Sequence, residues 1–208
     1  GVIVYPNGSV VVRAPKLATK AQIEVVLSKR LDWIMKHKRK FENMGPAFSD
    51  REFADGEKHL FLGTEYRLRI RQSQKNRVVQ NGQSIDIECT DDDFAEHLMK
   101  IWYIEKANEV MPGVIIPMVN QFSITYHKSP RKISLKSMKS RWGSCSSKGN
   151  ISINTRLIKS SKECIEYVVA HELCHLIELN HSGSFYALLS EFMPDWKMRK
   201  EKLEFYMR

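Results

Sequence analysis

Few folds can satisfy the run His171-Glu172-Leu173-Cys174-His175-Leu176-Ile177-Glu178-Leu179-Asn180-His181. Two histidines four apart on a helix lie about 40° from each other around the axis, so His171 and His175 face one way and can share a metal ion. His181 comes ten residues after His171. In an unbroken helix it would sit about 15 Å further along and rotated away. It can join the other two only if the helix stops before it and the chain doubles back. Asn180 suits a left-handed helix end, and Ser182-Gly183-Ser184 reads as a turn. The chemistry therefore demands a helix that ends abruptly beside a return loop.

The surroundings supply that helix. Ser160-Ser161-Lys162-Glu163 has capping-box spacing, and Ile165, Val168, Val169, Leu173, Leu176 and Leu179 recur with helical rhythm. Zinc takes neutral imidazoles or anionic oxygen and sulfur donors in a tetrahedral shell, and a catalytic site leaves the fourth position to water. One Zn²⁺ per chain is expected on His171, His175 and His181. Bound zinc lowers the pKa of water from about 15.7 toward about 7. Glu172, next to the first ligand, is placed to act as general base. Glu178 competes for the third position from nearly the same face; otherwise its carboxylate orients a ligand histidine from behind. Cys174 points off that face and reads as a small buried residue.

Charge and cysteine usage bound the rest. The 208 residues carry a net charge of +9, and residues 128–148 hold Lys128, Arg131, Lys132, Lys136, Lys139, Arg141 and Lys148 with no acid among them. Such a run suits a polyanionic substrate or nucleic acid. A second cluster, Lys36-His37-Lys38-Arg39-Lys40, reads as solvated surface. Cys89, Cys145, Cys164 and Cys174 are scattered without a C-x-x-C pair, which fits reduced thiols and a cytoplasmic protein. No stretch approaches the roughly 20 apolar residues of a membrane span, and no secretory leader is legible. Gly1 opens directly on strand-like Val2–Tyr5, so a preceding segment is expected.

Along the chain the pattern is α+β. Residues 1–90 read as a β-rich region with one long helix: a hairpin turning at Pro6-Asn7-Gly8, a helix capped at Thr19–Gln22, and hairpins turning at Gly63-Thr64 and Asn81-Gly82. Residues 91–208 read as the catalytic domain. A long helix runs from about Thr90-Asp91-Asp92-Asp93 to about Val110, where Pro112 and Pro117 interrupt it. Strands are expected at Ser123–His127 and Ile133–Ser137. A further hairpin pairs Arg141–Cys145 with Ile151–Leu157, giving a small antiparallel sheet beside the motif helix. A short helix from Ser184 and a terminal helix from Asp195 follow.

The Arg141–Cys145 strand has a functional reading of its own. An edge strand bordering a metal cleft can pair with an extended peptide. Arg141, Trp142, Lys139 and Tyr186 are candidate substrate contacts, with Arg141 able to hold an anion or stabilise an oxyanion. Tyr126 and His127 are weaker candidates for the same role. Three functions stay open: a zinc peptidase, a zinc-site hydrolase of nucleoside triphosphate phosphoanhydrides, and a nucleic-acid-binding module with structural zinc. The partners follow from these, peptide, nucleotide or nucleic acid, with no membrane; the oligomeric state stays open.

Several of these residues together carry a family resemblance. Ser140-Arg141-Trp142-Gly143-Ser144-Cys145, Tyr167-Val168-Val169-Ala170, His171–His181, Pro194-Asp195-Trp196, and at the N-terminal end Ala14-Pro15-Lys16 and Asp32-Trp33-Ile34, resemble the YgjP-like metal-dependent hydrolases. That family is described as metallopeptidases related to the SprT and WLM zinc proteases. The resemblance implies a zincin-like catalytic domain with His171, His175 and His181 as ligands and Glu172 as the catalytic residue. For substrate it implies two directions, proteins associated with DNA in SprT and WLM relatives, and nucleoside triphosphates in members near YgjP. The chain departs from metzincins, which have glycine where it has Glu178, and it shows no Met-turn.

Overall fold

The computed structural model describes residues 2–4, 10–12, 14–15, 17–42 and 53–206. It divides into two compact units, one over residues 1–50 and one over residues 51–207. In the first unit β1 (Val2–Val4) pairs antiparallel with β2 (Val10–Val12). The expected turn at Pro6-Asn7-Gly8 lies outside the described residues, as do Lys16 and the side chains of His37 and Lys40.

The expected single helix of this unit is two, α1 (Lys20–Lys29) and α2 (Leu31–Glu42). Its capping box is present: Gln22 N–H donates to Thr19 Oγ1 at 3.3 Å and Thr19 N–H to Gln22 Oε1 at 3.0 Å. The break falls at Arg30, whose N–H turns back three residues to the Leu27 carbonyl at 3.0 Å. Such a tight turn ends a helix without glycine or proline, so nothing in the composition announces it.

The second unit opens with β3 (Lys58–Phe61), β4 (Thr64–Gln72), β5 (Arg77–Asn81) and β6 (Ser84–Cys89), in the order β3-β4-β6-β5. Both expected hairpins form, turning on Gly63 (φ +79°) and Gly82 (φ +55°). One face of this sheet, through Leu68, Ile85, Ile87 and Cys89, is buried in the same core as the helices that follow. The change of character near residue 90 is thus the passage from sheet to helix inside one unit.

α3 (Ala95–Tyr126) corrects two expectations at once: it runs through Pro112 and Pro117, and residues 123–126 are helix rather than strand. Proline forfeits one intrahelical bond and crowds the carbonyl four residues back. Here the loss is offset by a buried stripe at spacings near four, Met99, Tyr103, Ala107, Met111, Ile115 and Phe122. Tertiary burial outweighs the local breakers and the β-propensity of Ile124 and Thr125. The helix stops at left-handed His127, whose N–H bonds the Ser123 carbonyl at 3.0 Å.

Next come β7 (Lys132–Lys136), β8 (Gly143–Cys145) and β9 (Asn150–Asn154), in the order β7-β9-β8. The sheet is mixed rather than antiparallel. β8 folds back on β9 as a hairpin, leaving the other edge of β9 to β7, which runs parallel to it. Residues 155–159, expected as strand, tighten into a 3₁₀ turn after Asn154 caps it.

α4 (Lys162–Cys174), α5 (Gly183–Phe192) and α6 (Trp196–Tyr206) complete an α+β architecture with six helices among the described residues. The N-cap of α4 is Ser161, without a side-chain capping bond. The expected capping box does not form because the Ser160 hydroxyl donates instead to the Leu157 carbonyl at 2.8 Å. α6 is held to α4 by Arg199 bonded to Glu166 and Lys202 bonded to Glu163.

Candidate metal centre and its cleft

The end of α4 builds the site. His171 and Glu172 occupy its last turn, and His175 is the first residue past the helix. Ile177 N–H and Glu178 N–H both bond the Cys174 carbonyl, at 3.1 and 2.9 Å, closing the helix earlier than the apolar rhythm through Leu179 suggests. Leu179 is 68% exposed and takes no part in the core. The chain then returns, and Ser182 caps α5 by accepting from Phe185 N–H at 3.3 Å. This reversal brings His181 back: its Nε2 stands 2.9 Å from Nε2 of His171.

All three imidazoles converge. Ring centroids are 5.0 Å apart for His171–His175, 4.8 Å for His171–His181 and 4.7 Å for His175–His181. One donor nitrogen from each lies within 4.8 Å of the others, the only such His/Cys/Asp/Glu group among the described residues. Phe185, fully buried, lies against all three rings at 5.0, 4.7 and 4.8 Å. Its part is missed by sequence reasoning, although its place three residues after the helix-capping Ser182 is a usable signal.

The protonation pattern suits a cation. His175 Nδ1 lies 2.9 Å from the Glu178 carbonyl oxygen. A carbonyl only accepts, so Nδ1 carries the proton and Nε2 keeps its lone pair. Glu178 thus meets the ligand set through its main chain rather than its carboxylate. Burial first, and the neighbouring His175, His181 and Lys200, hold His171 down to about 4, neutral at physiological pH. Its Nδ1 is buried without a partner, leaving Nε2 as its working atom. A tetrahedral zinc with Zn–N bonds near 2.0–2.1 Å sets its nitrogens about 3.3 Å apart, a spacing the three donors bracket. The residues fit a three-histidine zinc site with one side open.

Glu172 is 5% exposed, and its burial pushes its carboxyl up to about 7 against the opposing pull of Arg141 and of a hydrogen bond donated by Cys145 N–H. Gly143 makes room for it: a Cβ there would stand 2.6 Å from both Cγ and Oε1 of Glu172. Asn154 fixes the approach to β8. Its Nδ2 donates to the Met138 and Arg141 carbonyls, both at 2.8 Å, while its Oδ1 accepts from Arg156 N–H at 3.1 Å. Neither residue was singled out from the sequence; a glycine interrupting a strand is the signal for Gly143.

Around these groups lies an open cleft of about 410 Å³ lined by Arg141, Gly143, Ser144, Cys145, His171, Glu172, His175, Leu179 and His181. Of the expected substrate contacts, Arg141 lines it, and Trp142 lines an adjoining recess with the Arg156 guanidinium 5.9 Å above its ring. Tyr186 stacks on Trp196 at 5.4 Å with its ring 6.3 Å from that of His181. Lys139 is exposed on the loop before β8 and lines neither. The weaker candidates are engaged elsewhere, Tyr126 with Glu191 at 3.1 Å and His127 as the cap of α3. Cys174 is fully buried, its thiol pushed up to about 12 by burial, so it offers no thiolate.

Comparison with known proteins agrees with this chemistry. No curated protein matches the chain. Among solved structures, the metallopeptidase zymogen of Methanocaldococcus jannaschii jannalysin is similar over 43% of this chain and 85% of that one, at 26% identity and a TM-score of 0.36. A family model described as YgjP-like, metallopeptidase domain, matches residues 1–206. The chain, a metallopeptidase-type hydrolase with a three-histidine group, belongs to the YgjP-like family.

Proposed function

We propose that the chain is a zinc peptidase of zincin type, with zinc on His171, His175 and His181 and Glu172 as general base. One observation carries the reading: three imidazole nitrogens within 4.8 Å of one another beside a buried carboxyl from the adjacent residue. A divalent ion held there supplies Lewis acidity and brings a water's pKa toward about 7. Glu172, itself raised to about 7, can take that water's proton and return it to the leaving amine. Cys145 N–H and Gly143 fix where its carboxylate sits. β8 is an edge strand, so an extended peptide can pair with it across the cleft. Arg141 stands at the cleft to meet negative charge, whether a carboxylate or the carbonyl oxygen as it develops charge. The absence of a fourth protein donor in the group argues against a purely structural metal.

The test compares wild type with Glu172→Gln after zinc loading. Both should bind one zinc per chain, and the variant should lose peptide cleavage by about 10²- to 10⁴-fold. A second reading, hydrolysis of nucleoside triphosphates, draws on the seven exposed cations between Lys128 and Lys148, none of which pairs with a described acid. Phosphate or pyrophosphate release by zinc-loaded wild type, abolished in Glu172→Gln and crippled by neutralising Lys136, Lys139 and Arg141, would favour it. A nucleic-acid partner along that cationic run is the corresponding binding proposal. No helix of the described residues is long and apolar enough to cross a membrane. The four cysteines are all free, which suits the reducing cytoplasm we propose as its compartment.

A further inference from the structure

Behind Glu172 the cleft continues into a second recess of about 280 Å³. The two share Arg141, Gly143, His171 and Glu172, so whatever occupies the recess lies next to the reacting groups. Its own walls are Trp142 from the strand side, Tyr167 and Val168 from α4, and Leu203 from α6. Tyr167, Val168 and Leu203 are buried in the fold and held in place, with the Tyr167 ring 6.1 Å from that of His171. Pockets for whole small molecules run to about 300–1,000 Å³. This one falls below that range and is sized for a single side chain. Its wall residues bear no charge, which suits neither a phosphate nor an ionic side chain.

We propose that this recess is the specificity pocket of the cleft, taking a large apolar side chain, aromatic or branched aliphatic, from a residue flanking the cleaved bond. The inference rests on the peptidase reading and adds to it the class of substrate side chain. Trp142, Tyr167, Val168 and Leu203 are then specificity-determining residues. α6 acquires a functional role, because Leu203 closes the pocket and the Arg199–Glu166 and Lys202–Glu163 pairs hold that helix against α4. Full burial of such a side chain translates into a preference of roughly 10- to 100-fold over glycine.

The experiment digests a random-sequence peptide mixture with the zinc-loaded full chain and sequences the new ends. Phe, Tyr, Leu or Met should be enriched about tenfold or more at one position flanking the cleaved bond. Leu203→Phe, which fills the recess, should shift that position toward glycine and alanine. If circular dichroism shows that variant misfolded, Val168→Leu serves the same purpose. In a second arm, calorimetry with zinc-loaded Glu172→Gln, which does not turn over, should give a Kd at least about tenfold tighter for the best phenylalanine-bearing peptide than for its glycine counterpart. Cleavage with no apolar preference, or a preference that neither filling variant alters, overturns the pocket while leaving the peptidase reading intact. Absence of any cleavage by zinc-loaded wild type, with release of phosphate from nucleotides instead, overturns both.

Discussion

Gly143 and Glu172 compete for the same space: a Cβ on Gly143 would lie 2.6 Å from the Cγ and the Oε1 of Glu172. The strand is therefore obliged to carry glycine where it crosses the base. Gly143→Ala must displace the carboxyl, at a cost of about 1–3 kcal/mol in stability. Turnover should fall on the order of 100-fold, with zinc affinity nearly unchanged because no ligand moves. Steady-state kinetics beside a zinc titration decide it. Wild-type turnover in Gly143→Ala would mean that Glu172 is not confined as described.

Two neighbours on α4 pull the pH dependence of the metal-free protein in opposite directions. Glu172 is raised from 4.5 to about 7, so the folded chain holds its proton more tightly. Its contribution is present below pH 4.5 and lost as pH climbs to about 7. His171 is lowered from 6.5 to about 4, so its contribution is present above pH 6.5 and lost as pH falls to about 4. Each is worth about 3 kcal/mol, and between roughly pH 4.5 and 6.5 the two cancel. Urea unfolding in a chelator should therefore show nearly flat stability across that window for wild type. Glu172→Gln should rise with pH there and exceed wild type by about 2–3 kcal/mol at pH 8. Parallel profiles for the two proteins would contradict the opposed titrations.

Asn154 satisfies both its donors and its acceptor inside the protein, tying the Met138 and Arg141 carbonyls to the start of the 3₁₀ turn. Asn154→Ala leaves those buried carbonyls without donors, at about 2–4 kcal/mol. Asn154→Asp should be no better, since a carboxylate cannot donate to them. Denaturation midpoints would show equal losses in the two variants. Restored stability in the aspartate variant would mean that water or a rearranged loop replaces the amide.

What was legible in the sequence depended on how local its cause was. His171, His175 and Glu172 could be placed because one helical period fixes them, and the need for a chain reversal before His181 followed from the same arithmetic. The tight hairpins at Gly63 and Gly82 were read from two-residue turns. Pro112 and Pro117 misled because the burial that carries α3 past them comes from residues distant in sequence, above all Met111, Ile115 and Phe122. β7 and β8 were found, but not that β9 would come between them, since register across a sheet is a tertiary property. Gly143, Asn154 and Phe185 were passed over for a related reason. Each matters for what it touches from another element, and no periodicity records that.

Phe185 packs its ring against His171, His175 and His181 together, so it sets the plane on which the three donors rest. Phe185→Leu keeps the position apolar while removing that flat support. Groups that orient ligands without touching the metal are worth about 10–100-fold in metal affinity, and a loss of that size is expected here. Phe122→Leu is the control, an equally buried aromatic of α3 that contacts none of the three histidines. Chelator competition should show weakened zinc binding in Phe185→Leu alone, while both variants lose about 1–2 kcal/mol of stability. Unchanged affinity in Phe185→Leu would reduce the ring to ordinary core and leave the orientation of the histidines to the His175–Glu178 bond and the α5 cap.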